Sequence, residues 1–503
     1  MARVVTESTV TSGELEEVLR PRTDLLRERE AGDHCFEAAE GPVRDYHRRV
    51  KVTPLGDGRA TLVQTVDFTL ALPYFWWLFL LPFKRALGRP GRDRAPWWAP
   101  PAVLDARAAS VLGSLALVAV VVGYLNTLFT QTIPFAGEEF GAGNSAQGVS
   151  GAVVRVGGVV ALVVVATADR RGRRAVLVLS ATVGCSLAVT GALAPSLAWL
   201  TASQVLARGF ATALLLLVAI LAAEEMPAGA RAYTVSLLAM AGGLGAGVCV
   251  LSLRLADLGS RGWRLLYLLP AVALPAVAGV RRRLPESRRF AARHAEVELA
   301  GHGGRLWLLS VAGLLTNVFV APLSQFGNRF LQHERAFSGG KIGIFTVVTA
   351  TPAALGIVAG GRLADVRGRR RVGAVSLTVG TALTLLMFFS EGWAVWVWAL
   401  LGTTVSDASI PALAVYGPEL FPTSLRGRAN GVMAVSALVG SAIGLISAGV
   451  LSDRFGRIAP AMTILAVGPV LVAILVLTRY PETAGRELED LNPEDRQPPA
   501  APG

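Results

Sequence analysis

The chain has 503 residues, of which 52% are hydrophobic and 17% charged, whereas soluble proteins carry roughly 25% charged residues. Too little charge is available to surface a set of soluble domains, so the composition excludes them and points to a polytopic membrane protein. A net charge of +12 leaves nucleic acid or anionic membrane as its natural partner, and the positions of the arginines decide between them.

Residues 1–109 read as a small α+β extension. They are polar and acidic up to residue 40, with no apolar signal-peptide core. Residues 43–52 and 59–70 predict two strands around a Gly56-Asp57-Gly58 turn, with partial period-two alternation at Val50, Val52, Leu62, Val66, Phe68 and Leu70. The aromatic, apolar run 68–83 contains Pro73 and Pro82 and is too short to span a bilayer. It reads as an interfacial segment rather than a thirteenth span.

From about residue 110, apolar stretches alternate with short charged or Pro/Gly loops. The spacing predicts twelve transmembrane helices, at 110–133, 148–168, 175–194, 197–222, 232–254, 263–280, 306–330, 341–362, 372–389, 393–416, 428–450 and 459–479. They must be helices because lipid offers the backbone no hydrogen-bond partner. With the extension placed in the cytoplasm, nineteen arginines fall in or beside inner loops and eight basic residues in outer ones. That asymmetry puts both termini in the cytoplasm of a plasma-membrane protein. It also disposes of nucleic acid as a partner, since the basic residues form no single face; membrane lipid takes its place.

The chain repeats itself. Ala168-Asp-Arg-Arg-Gly-Arg-Arg174 recurs as Ala364-Asp-Val-Arg-Gly-Arg-Arg370, and Pro285-Glu-Ser as Pro481-Glu-Thr, both 196 residues later. Glu224 and Arg231 recur as Glu419 and Arg426 at an offset of 195. Three motifs sharing one offset divide the chain into two halves. The fold expected is all-α and polytopic, with twelve helices in two pseudo-symmetric six-helix bundles at 110–290 and 306–486. A cytoplasmic linker at 291–305 joins them, the extension 1–109 precedes them, and a disordered cytoplasmic tail, 487–503, follows.

The twin Asp-x-x-Gly-Arg-Arg loops on this two-times-six plan resemble the major facilitator superfamily. The segments Tyr416–Arg426 and 481–489 are similar to its branch of sugar porters and metabolite–proton symporters. The resemblance implies a cytoplasmic gate that latches the inner side while the transporter faces outward. Its members would be Asp169, Arg173, Arg174, Glu224, Arg231, Glu286, Asp365, Arg369, Arg370, Glu419, Arg426 and Glu482. Each such pair, if exposed, is worth only ~0–1 kcal/mol. A network formed in one conformation alone can still bias a two-state equilibrium.

Polar residues inside apolar spans are the candidates for substrate contact. They are Asn126 and Gln131 in span 1, Arg155 in span 2, Gln204 and Arg208 in span 4, Asn317 and Gln325 in span 7, and Asp407 in span 10. An arginine at the bilayer centre costs at least ~2.5–3.5 kcal/mol on insertion scales, so something must compensate Arg208 and Arg155. That partner is either an anionic solute or a permanent ion pair, for instance with Asp407. Asn317 and Gln325 read as solute contacts or as helix–helix hydrogen bonds. The span-5 glycines 242, 243, 245 and 247 read as a packing face.

The function expected is secondary active transport of a small polar organic solute, an organic anion being favoured, by alternating access with protons as the coupling ion and Asp407 as their carrier. A sugar or polyol carrier is the alternative, and a membrane sensor that signals through residues 1–109 is a reading from another class. No enzyme activity, cofactor or metal site is expected. The five histidines lie outside the spans, and Cys35, Cys185 and Cys249 match no ligand spacing.

Overall fold

The computed structural model describes residues 1–56, 59–89, 96, 98–100, 102–227, 230–284, 303–414, 416–421 and 426–483. Among them, twelve helices are long and apolar enough to cross a membrane. Their bounds are Ala106–Glu139, Asn144–Ala168, Arg173–Leu193, Leu197–Ala222, Tyr233–Leu258 and Arg264–Arg283 in the first half. In the second they are Gly303–Glu334, Gly339–Ala364, Arg369–Phe389, Trp393–Ala414, Ala429–Phe455 and Ile458–Arg479. They are numbered spans 1–12 below. Odd spans run from the face that carries the extension to the far face.

Spans 1 and 7 are longer than the sequence pattern predicts, at 34 and 32 residues. At 1.5 Å per residue they are about 50 Å long, well beyond a ~30 Å hydrocarbon layer. Each is longer at both ends, and span 1 gains six residues on the far face. There Glu139 accepts hydrogen bonds from Trp263 Nε1 at 2.7 Å and Arg264 Nη2 at 2.9 Å, which carries span 1 past Pro134.

The two halves use the same packing device. A Cβ on Gly245 of span 5 would collide with the Val120 carbonyl oxygen of span 1, and one on Gly440 of span 11 with that of Leu314 in span 7. Small residues let these helices approach to backbone contact, which is how helices associate in lipid. Gly243 and Gly247 meet nothing within 4 Å, whereas the Gly242 carbonyl stands where a Cβ on Gly123 would go, so the packing role within the span-5 cluster belongs to Gly242 and Gly245. Spans 2 and 8 are each interrupted, near Gly157 and near Pro352.

The extension holds more sheet than expected. Strands β1 (Ala2–Thr11), β2 (Arg27–Gly32), β3 (Cys35–Glu40), β4 (Val43–Gly56) and β5 (Arg59–Leu70) form one antiparallel sheet in the order β1-β5-β4-β3-β2. Only β4 and β5 are foreseen from alternation; residues 57–58 of their turn lie outside the described residues. Helix α1 (Ser12–Leu19) follows β1, and α2 (Trp76–Leu87) follows β5. Helix α2 has 12 residues, about 18 Å, too short to cross a bilayer.

A buried polar network fastens α2 to the sheet. Arg22 donates to the Leu87 and Ala86 carbonyls at 2.9 and 3.1 Å, closing the C-terminal end of α2. Glu28 accepts from Arg48 Nη2 at 2.7 Å and from Tyr46 Oη at 2.5 Å. Burial first, then the Glu28 carboxylate, push the Tyr46 hydroxyl well up, so it stays a donor. Removing one partner of a buried pair strands the other charge. Glu28→Gln should therefore destabilise the extension by ~3–5 kcal/mol. Amide exchange in β4 and β5 should accelerate while that of the spans holds; unchanged β4 exchange would mean the network is not a fastening.

The extension docks on spans 1, 5 and 6. Tyr74 Oη donates to the Ala276 carbonyl at 3.0 Å, and Tyr233 Oη to the Trp98 carbonyl at 2.8 Å.

Candidate functional site

Arg155 and Arg208 meet in one pocket. The break in span 2 makes this possible. Span 2 starts at Asn144, four residues before the predicted 148, so Arg155 is its twelfth residue, as Arg208 is in span 4 from Leu197. Both therefore sit about 16 Å from the far end. That is deeper for Arg155 than the predicted span start implied. At this level a Cβ on Gly157 would strike the Val205 carbonyl, and one on Gly209 would come within 2.8 Å of the Gly157 carbonyl oxygen. Spans 2 and 4 thus cross in backbone contact, and both guanidinium groups reach the same space.

The pocket is narrow in this conformation, about 10 Å³, and is lined by Arg155, Arg208, Gln204, Gln325, Thr130 and Phe129, among others. Arg208 Nη1 donates to the Asn126 carbonyl at 2.6 Å. Arg155 Nη2 donates to Ser324 Oγ across the two halves at 3.3 Å. Gln204 is buried and donates to Ser203 Oγ at 3.2 Å. No carboxylate lines the pocket, and among the described residues neither arginine is ion-paired.

The other predicted contacts divide. Asn317 donates to the Gly313 carbonyl at 2.9 Å and accepts from Ser441 Oγ of span 11 at 3.3 Å, which is the helix–helix bond. The Asn126 Oδ1 atom is buried without a hydrogen-bond partner, though the residue also lines an apolar cavity between spans 1, 4 and 5. Gln131 accepts from Asn328 Nδ2 of span 7 at 2.5 Å. Gln325 donates to the Gln147 carbonyl of span 2 at 2.8 Å. Asp407 is half-buried on span 10, at the residue before a break at Ala408, and does not line the arginine pocket. The ion pair considered between Asp407 and Arg155 or Arg208 is not formed.

From the middle of the bilayer to the far face, the halves are stitched together. Asp453, ending span 11, accepts from the backbone N–H groups of Asn144 and Ser145 at 3.0 and 2.7 Å. Asp257, ending span 5, accepts from those of Gly339 and Gly340 at 2.6 and 2.8 Å. Each carboxylate thus sits on the N-terminus of a helix of the other half, where exposed amides and the helix dipole favour negative charge. Below each junction a glycine permits contact. A Cβ on Gly148 would collide with the Leu445 carbonyl oxygen, and one on Gly343 would stand 2.6 Å from that of Val250. Gln332 adds a bond to Glu138 at 2.7 Å.

This far-face junction is absent from the sequence-derived site. A signal was there: Asp257 and Asp453 are 196 residues apart, and Gly148 and Gly343 are 195 apart. They carry the offset of the recognised motifs without any conspicuous local pattern.

On the extension face, the predicted gate residues that are described bond within one half. Arg173 pairs with Glu224 in the first half. In the second, Glu482 accepts from the backbone N–H groups of Arg369 and Arg370 at 3.0 and 3.3 Å, and Arg369 Nη1 donates to Thr483 Oγ1 at 3.0 Å. Gly368, which turns the chain into span 9, has φ +95°, a conformation suited to glycine. Arg174 also makes an interaction. The side chains of Asp169, Arg231, Asp365, Glu419 and Arg426, and all of Glu286, lie outside the described residues, as do 285–302 of the linker region and the tail from 484.

The same architecture occurs in solved structures. A bacterial homologue of the human lysosomal transporter Spinster, inward-facing and unoccupied, superposes with a TM-score of 0.64 at 15% identity, covering 78% of this chain and 99% of that one. A D-xylose–proton symporter gives 0.63 at 18% identity, covering 75% and 99%. Among curated proteins, a probable 4-methylmuconolactone transporter of Cupriavidus pinatubonensis is 28% identical over 34% of this chain. The glucose transporter GlcP of Staphylococcus epidermidis is 25% identical over 39% of it. These two alignments span only 40% and 38% of the relatives' own length. The family model of the Major Facilitator Superfamily matches residues 115–343 and 309–502. With both six-helix halves matched, the chain belongs to the Major Facilitator Superfamily as a multi-pass integral membrane protein.

Proposed function

We propose that the protein is a secondary active transporter that carries a small organic anion across the plasma membrane by alternating access. The observation behind this reading is the pair of guanidinium groups in one mid-membrane pocket with no carboxylate among its lining residues. Two unpaired cations at that depth are costly, and an anionic solute supplies the missing charge. Arginine also presents a planar fork that matches a carboxylate bidentately. Relatives named for 4-methylmuconolactone and glucose support a small organic solute. The amides of Gln204 and Gln325 in the same pocket are the feature that a sugar or polyol carrier would use instead.

In this reading the extension face is cytoplasmic, both termini lie there, and the described conformation is inward-facing, with the far-face junction as its closed outer gate. The intra-half pairs Arg173–Glu224 and Glu482 with the start of span 9 hold the inner ends of each half rigid. They become parts of a latch when the halves close on that side.

A thermal-shift screen of the purified protein against acids, sugars, amino acids and drugs tests the assignment. A ligand that binds only the native state stabilises it; stabilisation by small carboxylates is expected, and stabilisation by sugars alone would reject the anion reading. In this reading Asp407, half-buried on span 10, carries the coupling proton. Asp407→Asn should abolish stimulation of uptake by a proton gradient while leaving substrate-induced stabilisation in place. Gradient-driven uptake at the normal rate would remove Asp407 from the coupling step.

A further inference from the structure

Two cavities adjoin where the extension meets the spans, and neither shares a lining residue with the arginine pocket. The first holds about 310 Å³ between α2 and the halves of spans 1 and 5 nearest the extension. That lies at the lower end of the roughly 300–1,000 Å³ of ordinary small-molecule pockets. Its lining is almost wholly apolar, including Phe79, Phe83, Trp98, Leu112 and Leu237. Met240 and Leu244, on the same wall, are exposed, so the cavity opens sideways toward lipid. The second holds about 570 Å³ and shares Leu70 and Leu72 with the first. Arg44, Lys84 and Arg283 line it, and no carboxylate does. Arg283 is held over the Tyr74 ring, 5.0 Å from its centroid. Helix α2 presents Trp76, Trp77, Leu78 and Leu81 outward, the pattern of a helix lying in the membrane interface.

We propose that these joined cavities form a binding site for one anionic phospholipid of the adjacent leaflet, its acyl chain in the apolar cavity and its phosphate held by Arg44, Lys84 and Arg283. The charge pattern selects this occupant. An apolar chain needs the first cavity, and an anion needs three cations that no protein carboxylate neutralises among the described residues. The two are joined at interfacial depth, as the two parts of a phospholipid are. Bound there, the lipid would bridge the extension to spans 1 and 5.

The test uses the delipidated full-length protein in detergent, titrated by native mass spectrometry with phosphatidylglycerol and with phosphatidylcholine of the same chains. Phosphatidylglycerol should bind about tenfold or more tightly, since each surface cation attracts an anionic headgroup. Arg44→Ala/Lys84→Ala/Arg283→Ala should remove that preference. All three are at the surface or half-buried, so the fold should survive, as checked by an unchanged melting temperature without lipid. Ala241→Phe, which narrows the apolar cavity, should weaken both lipids. Inorganic phosphate should not compete. Equal affinity for the two lipids, or a preference that survives the triple substitution, would overturn the site. Competition by inorganic phosphate would show a free-anion site instead.

Discussion

Arg208→Ala should reduce initial uptake about thirtyfold or more while leaving the protein inserted and at least as stable without substrate. The first half follows from losing a buried charged contact to an anion, ~2–5 kcal/mol, where 1.4 kcal/mol is a factor of ten. The second follows from insertion cost. Removing a mid-membrane arginine relieves at least ~2.5–3.5 kcal/mol and gives up only the bond to the Asn126 carbonyl. A structural arginine would behave oppositely, because its loss would strand a partner. Arg208→Lys should restore little, since an ammonium keeps the charge and loses the planar fork. Normal uptake with a lowered melting temperature would mean that Arg208 is a packing residue.

Gly148→Leu should trap the transporter open at the far face and bring uptake to background. The Gly148 position meets the Leu445 carbonyl in the closed junction, so any side chain opposes closure. Overpacking typically costs ~1–3 kcal/mol, and a conformation disfavoured by that much falls about fivefold to more than a hundredfold in population. Spin labels on the far-face ends of spans 2 and 11 should move apart, with Gly148→Ala intermediate. Unchanged label distances together with normal uptake would show that the junction does not gate. The paired position Gly343 should respond in the same way, because the Val250 carbonyl stands at the corresponding place in the other half.

Much of this was legible in the residues. The apolar run lengths yield all twelve spans, and the repeated motifs yield the two halves. Span ends were less legible. Span 1 is predicted to end at 133, yet its helix continues to Glu139, where bonds to Trp263 and Arg264 fix it. Strand β2 was hidden because its one buried side chain is Glu28, paired with Arg48, so no apolar alternation marks it. The two midplane arginines were found from their cost in lipid. Whether a protein carboxylate compensates them depends on which helices converge, and the convergence of spans 2 and 4 at Gly157 and Gly209 cannot be read from spacing. The far-face junction escaped for a different reason. Asp257 and Asp453 bond mainly to backbone amides, which no residue type marks in the sequence.

The most direct test of the central reading is competition for counterflow in proteoliposomes. Protein reconstituted in vesicles is loaded with a carboxylate that stabilises it in the thermal screen, and uptake of the labelled acid is followed with excess unlabelled acid or sugar outside. The arginine pocket predicts that small organic acids suppress the signal, that sugars leave it intact, and that Arg155→Ala/Arg208→Ala vesicles show none. Suppression by sugars but not by acids, or full counterflow in the double variant, would contradict it.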